Sequence, residues 1–303
     1  MQLKTIKKIL VTKLEDWLES ITDSDLRKDV KNNLLVSGGS ITSMLLNIPV
    51  NDYDIYIKDM NVLIRLAKYY VRDEEILDGR KRDKYIENHS ENSAYNIEDD
   101  NSEMGVRLKT LKEDQVKLNI QSIGERKDLK NDSEGKPLKY QVSFLSQNAI
   151  SLTDDIQIVL RFHGDSEQIH KTFDFIHATN YFTFDEGLVT NKLALESILT
   201  KTLKYQGSLY PLTSIIRLKK FIHRGWTINA GEMLKMMFQV SDLDLRNPEV
   251  LEEQLIGVDV AYFAVLIDIL RGIKPEKLNS HHLNTIIDRV FNEYEEPENQ
   301  EPV

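Results

Sequence analysis

The stretch Val36-Ser37-Gly38-Gly39-Ser40, followed closely by Asn51-Asp52-Tyr53-Asp54-Ile55-Tyr56-Ile57, decides how this chain is read. An apolar run, Leu34 to Val36, ends in a Gly-Gly-Ser turn. A short helical segment follows, and a strand then opens with two carboxylates one residue apart. Glycines let a backbone approach a phosphate, and free N–H groups at a helix start can bind one. Alternate residues of a strand share a face, so Asp52 and Asp54 can grip divalent cations together. A phosphate cradle beside paired carboxylates is the minimal equipment for metal-assisted nucleotidyl transfer. Without the aspartates the glycines would be an ordinary tight turn. The hydroxyls of Ser37 and Ser40 suit either phosphate oxygens or a helix cap.

Outward from this stretch, Ile41 to Leu46 fits a helix of two turns that Pro49 stops. Asp52 to Ile57 reads as a strand and Asn61 to Val71 as a helix. Upstream, Leu3, Ile6, Leu10, Leu14, Trp17, Leu18 and Ile21 recur at helical spacing. A second helix is expected over Ser24 to Asn32, capped by Asp23 or Ser24. Residues 72–139 are polar and charged in both signs; they read as an insertion, with a short strand around Val116 to Ile120 and a mobile loop elsewhere. Strand signals return at Tyr140–Phe144, Ala149–Leu152, Ile156–Phe162 and Phe173–Tyr181. From Leu188 the pattern is helical: Leu188–Tyr205, Leu212–His223, Ala230–Phe238, Pro248–Leu255, Val258–Leu270 and His282–Tyr294.

The expected class is therefore α+β, a mixed sheet with helices followed by an all-helical part. The domains are placed at 1–186, with the insertion at about 72–139, at 187–292, and as an acidic tail over 293–303. Hydrophobic residues make up 41% of the 303, enough for a packed core and against global disorder. The absence of cysteine excludes disulfides, thiolate metal sites and a cysteine nucleophile. Met1 to Lys8 carries no signal-peptide pattern, and Val258 to Leu270, the longest apolar run, is too short to span a membrane and contains Asp259 and Asp268. A soluble, cytoplasmic protein without a membrane partner is expected. The net charge of −10 disfavours a wholesale nucleic-acid coat, yet residues 192–224 are basic, with Lys192, Lys201, Lys204, Arg217, Lys219, Lys220 and Arg224.

Two-metal transfer usually uses a third carboxylate, from a neighbouring strand facing the same way. Asp174, between Phe173 and Phe175 in a strand-like run, is the candidate; Asp154 and Asp155 read as a turn. His163, His170 and His177 lack zinc-site spacing and read as core or surface histidines. There is neither a Walker-type lysine loop nor a Gly-x-Gly-x-x-Gly.

These residues resemble the DNA polymerase β-type nucleotidyltransferase superfamily, closest to the head of CCA-adding enzymes and bacterial poly(A) polymerases. There Gly-Gly is followed by a helix, a Leu-Leu pair, a proline and Asp-x-Asp; here Gly38-Gly39, Leu45-Leu46, Pro49 and Asp52-Tyr53-Asp54 stand in that order. Pro211-Leu212 and the run Arg217 to Asn229 are similar to the basic-aromatic neck behind those heads. The pattern from Gln147-Asn148-Ala149-Ile150 through Phe173-Asp174-Phe175-Ile176-His177 to Arg224-Gly225-Trp226 looks like uncharacterised nucleotidyltransferases of large tailed phages.

The resemblance implies a polymerase β-like head, a two-metal mechanism with Mg²⁺ (Mn²⁺ as a substitute), and an NTP as donor. The expected acceptor is an RNA 3′ hydroxyl; the alternatives are a protein side chain, or a catalytically silent binding module. Asp52 and Asp54 would hold both metals, and Asp174 would complete the site and polarise the acceptor. Ser37, Gly38, Gly39 and Ser40 would hold the triphosphate, and Lys192, Lys201, Arg217, Lys220 and Arg224 would supply charge to phosphates. Tyr205 or Tyr210 either stacks on a base or packs in the core. The setting implied is the cytoplasm of a bacterial or phage-infected cell.

Overall fold

The computed structural model describes residues 1–71, 75–78, 115–119, 124–125, 129–131, 135, 138–255, 261–273 and 280–294. Most of the expected insertion at 72–139 and the tail from residue 295 lie outside the described residues. The chain divides into two compact units, Met1–Thr200 and Lys201–Val303.

The first unit opens with α1 (Leu3–Ser20), whose buried residues Ile6, Leu10, Leu14, Trp17 and Leu18 form one stripe at helical spacing. In α2 (Ser24–Asn33) the Asp23 carboxylate accepts hydrogen bonds from the amides of Asp25 and Leu26, closing the helix start. β1 (Leu34–Ser37) leads into α3 (Gly39–Leu46). That helix ends at Asn47, in the left-handed conformation at φ 59°, two residues ahead of the proline expected to stop it. β2 (Tyr53–Ile57) begins one residue after Asp52, and α4 (Met60–Tyr70) is capped by Asp59.

β3 (Glu75–Asp78) and β4 (Val116–Asn119) form a separate antiparallel pair. β5 (Gly124–Glu125), β6 (Val142–Leu145), β7 (Ala149–Leu152) and β8 (Ile156–Val159) follow. Asp154 and Asp155, both at φ 60°, form the turn between β7 and β8. Next come α5 (Ser166–His170), a 3-10 turn (Ile176–Ala178), β9 (Tyr181–Thr183), β10 (Gly187–Val189) and α6 (Lys192–Thr200).

One mixed sheet of eight strands results, in the order β10-β9-β1-β2-β8-β7-β6-β5. Among the described residues its one parallel pairing joins β2 to β8, with Asp54 opposite Gln157. The inner face packs Leu34, Val36, Ile55, Ile57, Ile156 and Ile158 against the apolar stripes of α1, α2 and α4. The outer face carries Leu35 and Tyr56, packed with Ile169, Val159, Phe162, Phe173 and Tyr181.

Two expected elements are corrected. Phe173–Tyr181 is not a continuous strand: it bends at Asp174, makes a single bridge at Phe175 and coils into the 3-10 turn, and strand pairing resumes over Tyr181–Thr183. The hydroxyls of Thr172 and Thr179 donate to the carbonyls of Ile169 and Ile176, closing turns that an alternating apolar pattern conceals. Leu188 and Val189 are strand, not helix, because Gly187 at φ 71° turns the chain back so that β10 pairs with β9. The first unit thus runs through α6, which packs on the 3-10 turn and α3, beyond the 186/187 boundary placed from sequence.

The second unit contains β11 (Thr202–Leu203), α7 (Pro211–His223), β12 (Thr227–Ile228), α8 (Ala230–Ser241), α9 (Pro248–Gln254), α10 (Ala261–Arg271) and α11 (Ser280–Tyr294). Among the described residues it is helical apart from turns, the parallel pair β11–β12 and a single bridge at Tyr205. Leu251, Leu255, Leu266, Ile267, Leu270 and Ile286 form its core. Among the described residues no helix is long and apolar enough to cross a membrane.

Candidate active site

At the end of β1 the backbone of Gly38 takes φ 98° and ψ −144°, a conformation L side chains rarely adopt. A Cβ added there would lie 3.0 Å from Oδ2 of Asp54. The missing side chain is therefore what lets the Asp54 carboxylate sit against the turn. A Cβ on Gly39, the first residue of α3, would meet nothing within 4 Å. No side chain caps α3, so its first amides have no partner from a capping residue. A carboxylate beside an uncapped helix start suits a cation bridging to a phosphate, since the two anions would otherwise repel.

Strand alternation puts Asp54 on the outer face with Tyr56, and β1 places Leu35 opposite Tyr56, so Ser37 and Asp54 are neighbours on that face. Gln157 faces Asp54 from β8, and Ser151 faces Gln157 from β7. The Gln157 amide donates to Oγ of Ser151 at 3.3 Å, which confirms that the two side chains meet. Asp52 is exposed and Asp54 half-buried.

A segment over residues 165–180 covers the β1 side of this face. Its start is fixed by a capping box between Asp165 and Gln168. Phe173 packs on Tyr56 with ring centroids 5.9 Å apart. The amide of Gly38 donates to the Ala178 carbonyl at 3.1 Å, and the Thr42 hydroxyl to the His177 carbonyl at 3.0 Å. Ser37, fully buried, has its hydroxyl 2.9 Å from Nε2 of His170, 3.1 Å from the Ala178 carbonyl and 2.9 Å from the Asn180 carbonyl. Burial pushes His170 and His177 down to about 4, so both are neutral near pH 7. A neutral His170 can donate from Nε2 while the serine gives its one proton to a carbonyl.

Ser37, expected to face a phosphate, is thus spent on tying the turn to the covering segment. Ser40 is also buried, and its Oγ has no hydrogen-bond partner. Asp174 lies at the bend of the covering segment, 5% exposed, not on a strand beside β2; the neighbouring strand offers Gln157 instead. Among the described residues no three His, Asp or Glu side chains gather closely enough to hold a metal ion by themselves.

Of the expected basic residues, Lys192 is exposed at the start of α6 in the first unit. In the second unit Arg217, Lys220 and Arg224 are exposed at spacings that place them on one side of α7 and its end. The Lys201 ammonium lies 3.8 Å from where a Cβ on Gly225 would be, so it joins them at that helix terminus. Tyr205 is a core residue: it is 4% exposed and its hydroxyl donates to Gln239 at 2.5 Å.

Sequence reasoning missed Gln157, Ser151, Thr42 and the tie made by His170. Gln157 carries a faint signal, as the polar residue between Ile156 and Ile158, but its meaning appears only once β8 is paired with β2.

Comparison with known proteins adds a family. A sequence model described as "Gabija anti-defense 2 family protein" matches residues 8–201. Gabija anti-defense 2 of Bacillus phage SPbetaL7 is 22% identical over 263 residues, which are 86% of this chain and 49% of that protein. The chain therefore spans about half the length of the curated relative it matches. Among solved structures, the Thermotoga maritima CCA-adding enzyme complexed with tRNA is similar at 12% identity and a TM-score of 0.38, over 85% of this chain and 52% of that one. The Bacillus stearothermophilus CCA-adding enzyme in complex with CTP is similar at 10% identity and a TM-score of 0.39, over 84% and 51%. A CCA-adding enzyme with ATP gives 13% and 0.40, over 98% and 64%. Likenesses at this level say nothing of donor or acceptor.

Proposed function

The chain belongs to the Gabija anti-defense 2 family, and from that premise we propose that it acts against Gabija defence as a Mg²⁺-dependent nucleotidyltransferase in the phage-infected bacterial cell. The observation that carries this reading is the Asp54 carboxylate seated against Gly38, at the uncapped start of α3. In this reading the chain moves a nucleoside monophosphate from an NTP to an RNA 3′ hydroxyl.

Beside Gly38, whose amide is held by the Ala178 carbonyl and whose missing side chain leaves room, Gly39 and the start of α3 receive the triphosphate, and the buried, unpartnered Ser40 hydroxyl lies in the same first turn. The donor set fits a cation that arrives with phosphate oxygens: Asp54 stands on the outer face of β2, Asp52 immediately precedes that strand, and phosphate supplies the remaining ligands. Bound there, Mg²⁺ would neutralise the triphosphate and acidify the attacking hydroxyl. The hydroxyl oxygen bonds to the α-phosphorus, the bond to the bridging oxygen breaks, pyrophosphate leaves, and the proton passes to the Asp54 carboxylate. The bonds of Ser37, Gly38 and Thr42 hold the covering segment over the site, and Asp174, buried within that segment, would complete the carboxylate set. The basic side of α7 supplies charge for nucleic-acid phosphate, which makes affinity fall steeply with salt.

A protein acceptor is the second reading. It is favoured by α8, which exposes Met237 at 62% and Phe238 at 70%, the kind of apolar patch that marks a protein contact. One assay separates the readings. Each labelled NTP is incubated with Mg²⁺ and total RNA or total protein from a bacterial lysate, with the doubly substituted Asp52→Ala/Asp54→Ala chain alongside. Label on RNA that the variant does not produce supports the first reading; label on protein supports the second; label in neither pool overturns both.

A further inference from the structure

The two flanks of Asp54 differ. On the β1 side, Ser37 is fully buried and the 165–180 segment is bonded down over it. On the β8 side, Gln157, Ser151 and Phe144 are half-buried and stand in one row across three adjacent strands. Strands lie about 4.8 Å apart, so the row runs roughly 14 Å from Asp54.

Phe144 reaches this row through a β-bulge. Val142 pairs with Leu152 and Phe144 with Ser151, so one extra residue, Ser143, is accommodated in β6. Without it, alternation would send Phe144 to the inner face with Leu145's neighbours. The Ser143 hydroxyl donates to the Ser151 carbonyl at 3.1 Å and so pins the bulge. A bulge that re-aims one aromatic side chain onto a polar row beside a candidate site is the use to which bulges are commonly put.

Direction follows from the chemistry. In an in-line displacement the attacking and leaving oxygens lie on opposite sides of the phosphorus. If the proposed reading holds, pyrophosphate leaves toward α3, which starts on the β1 side of Asp54. The attacking hydroxyl must then arrive from the β8 side.

Resting on that reading, we propose that the outer face of β8, β7 and β6 is the acceptor track for a single-stranded nucleic-acid 3′ end. Gln157 and Ser151 hydrogen-bond the terminal ribose, and Phe144 stacks on a base behind it. Amide, hydroxyl and aromatic ring in a row match a sugar followed by a base, and the ring is sequence-tolerant because every base has a π-face.

The test uses the full chain and a short, fluorescein-labelled single-stranded RNA with a free 3′ hydroxyl. Binding is read by anisotropy, incorporation by gel, and nucleotide binding separately by Mg²⁺-NTP thermal stabilisation. Phe144→Ala should weaken RNA binding about tenfold, and Phe144→Tyr should restore it. Gln157→Ala should raise the KM for RNA several-fold, and both alanine variants should keep wild-type stabilisation by NTP. Wild-type RNA affinity and KM in both alanine variants would overturn the track, as would label accepted by protein and not by RNA. A wild-type chain that no Mg²⁺-NTP stabilises would instead overturn the underlying reading, and the track with it.

Discussion

On the inner face of the sheet, Leu34, Val36, Ile55, Ile57, Ile156 and Ile158 are each at most 1% exposed. On the outer face the same three strands present Leu35, Ser37, Asp54, Tyr56, Gln157 and Val159, and the apolar members of that set gather at one end. The two sets interleave residue by residue, so a slip of one position would exchange them. Burial of six aliphatic side chains makes that slip very costly. The inner face, which has no chemistry, thereby fixes the register that sets Asp54 between Ser37 and Gln157. Stability and site geometry are separable by substitution at Ile55 and Asp54, neighbours that stand on opposite faces of β2.

The largest expected effect is on the outer face alone. Asp54→Asn should lower nucleotide incorporation by about three orders of magnitude while shifting unfolding by no more than about 0.5 kcal/mol. Ile55→Ala, one position along, should do the reverse: about 2–5 kcal/mol of stability lost in urea titration, with incorporation per folded molecule retained. Gly38→Ala should touch both faces of the argument. A side chain at φ 98° costs about 1–3 kcal/mol, and its methyl group displaces the Asp54 carboxylate, so stabilisation by Mg²⁺-NTP should also disappear. Ser37→Ala should cost about 1 kcal/mol through the loss of its hydrogen bonds, with a smaller fall in activity as the covering segment loosens.

The smallest effect near neutral pH comes from the buried histidines. His170 and His177 are pushed down to about 4 from 6.5, so between these values the unfolded chain binds more protons than the folded one. Stability should therefore be unaffected by these groups above pH 6.5 and decline as pH falls toward 4. Unfolding midpoints across that window check the sign. Replacing His170 by glutamine, which keeps a donor for Ser37, should flatten part of the decline.

Much of the frame was legible in the sequence because its signals are local. The apolar stripe of α1, the Asp23 cap of α2 and the Gly-Gly turn before α3 each depend on a few neighbouring residues. The Asp52-Tyr53-Asp54 pattern is conspicuous for the same reason, and the structure puts Asp54 on the outer face of β2 with Asp52 just ahead of the strand. What failed depends mostly on partners far along the chain, and in one place on local turns that imitate a strand. Ser37 reads as a phosphate donor until His170 and the carbonyls of Ala178 and Asn180 claim its hydroxyl. Phe173-Asp174-Phe175-Ile176 mimics strand alternation, whereas threonine hydroxyls on either side close turns. Gln157 and Phe144 carry no local mark of a site. Register gives the first its place beside Asp54, and a bulge gives the second its face.

The central claim is that the outer face binds a nucleotide through Asp54 and the Gly38 turn. Thermal unfolding of the wild-type chain and of Asp54→Asn, with each NTP in the presence and absence of Mg²⁺, tests it most directly. The account predicts a rise of several degrees for the wild type with at least one NTP, only with Mg²⁺, and no rise for the variant. An equal rise in the variant, or a rise that ignores Mg²⁺, would contradict it.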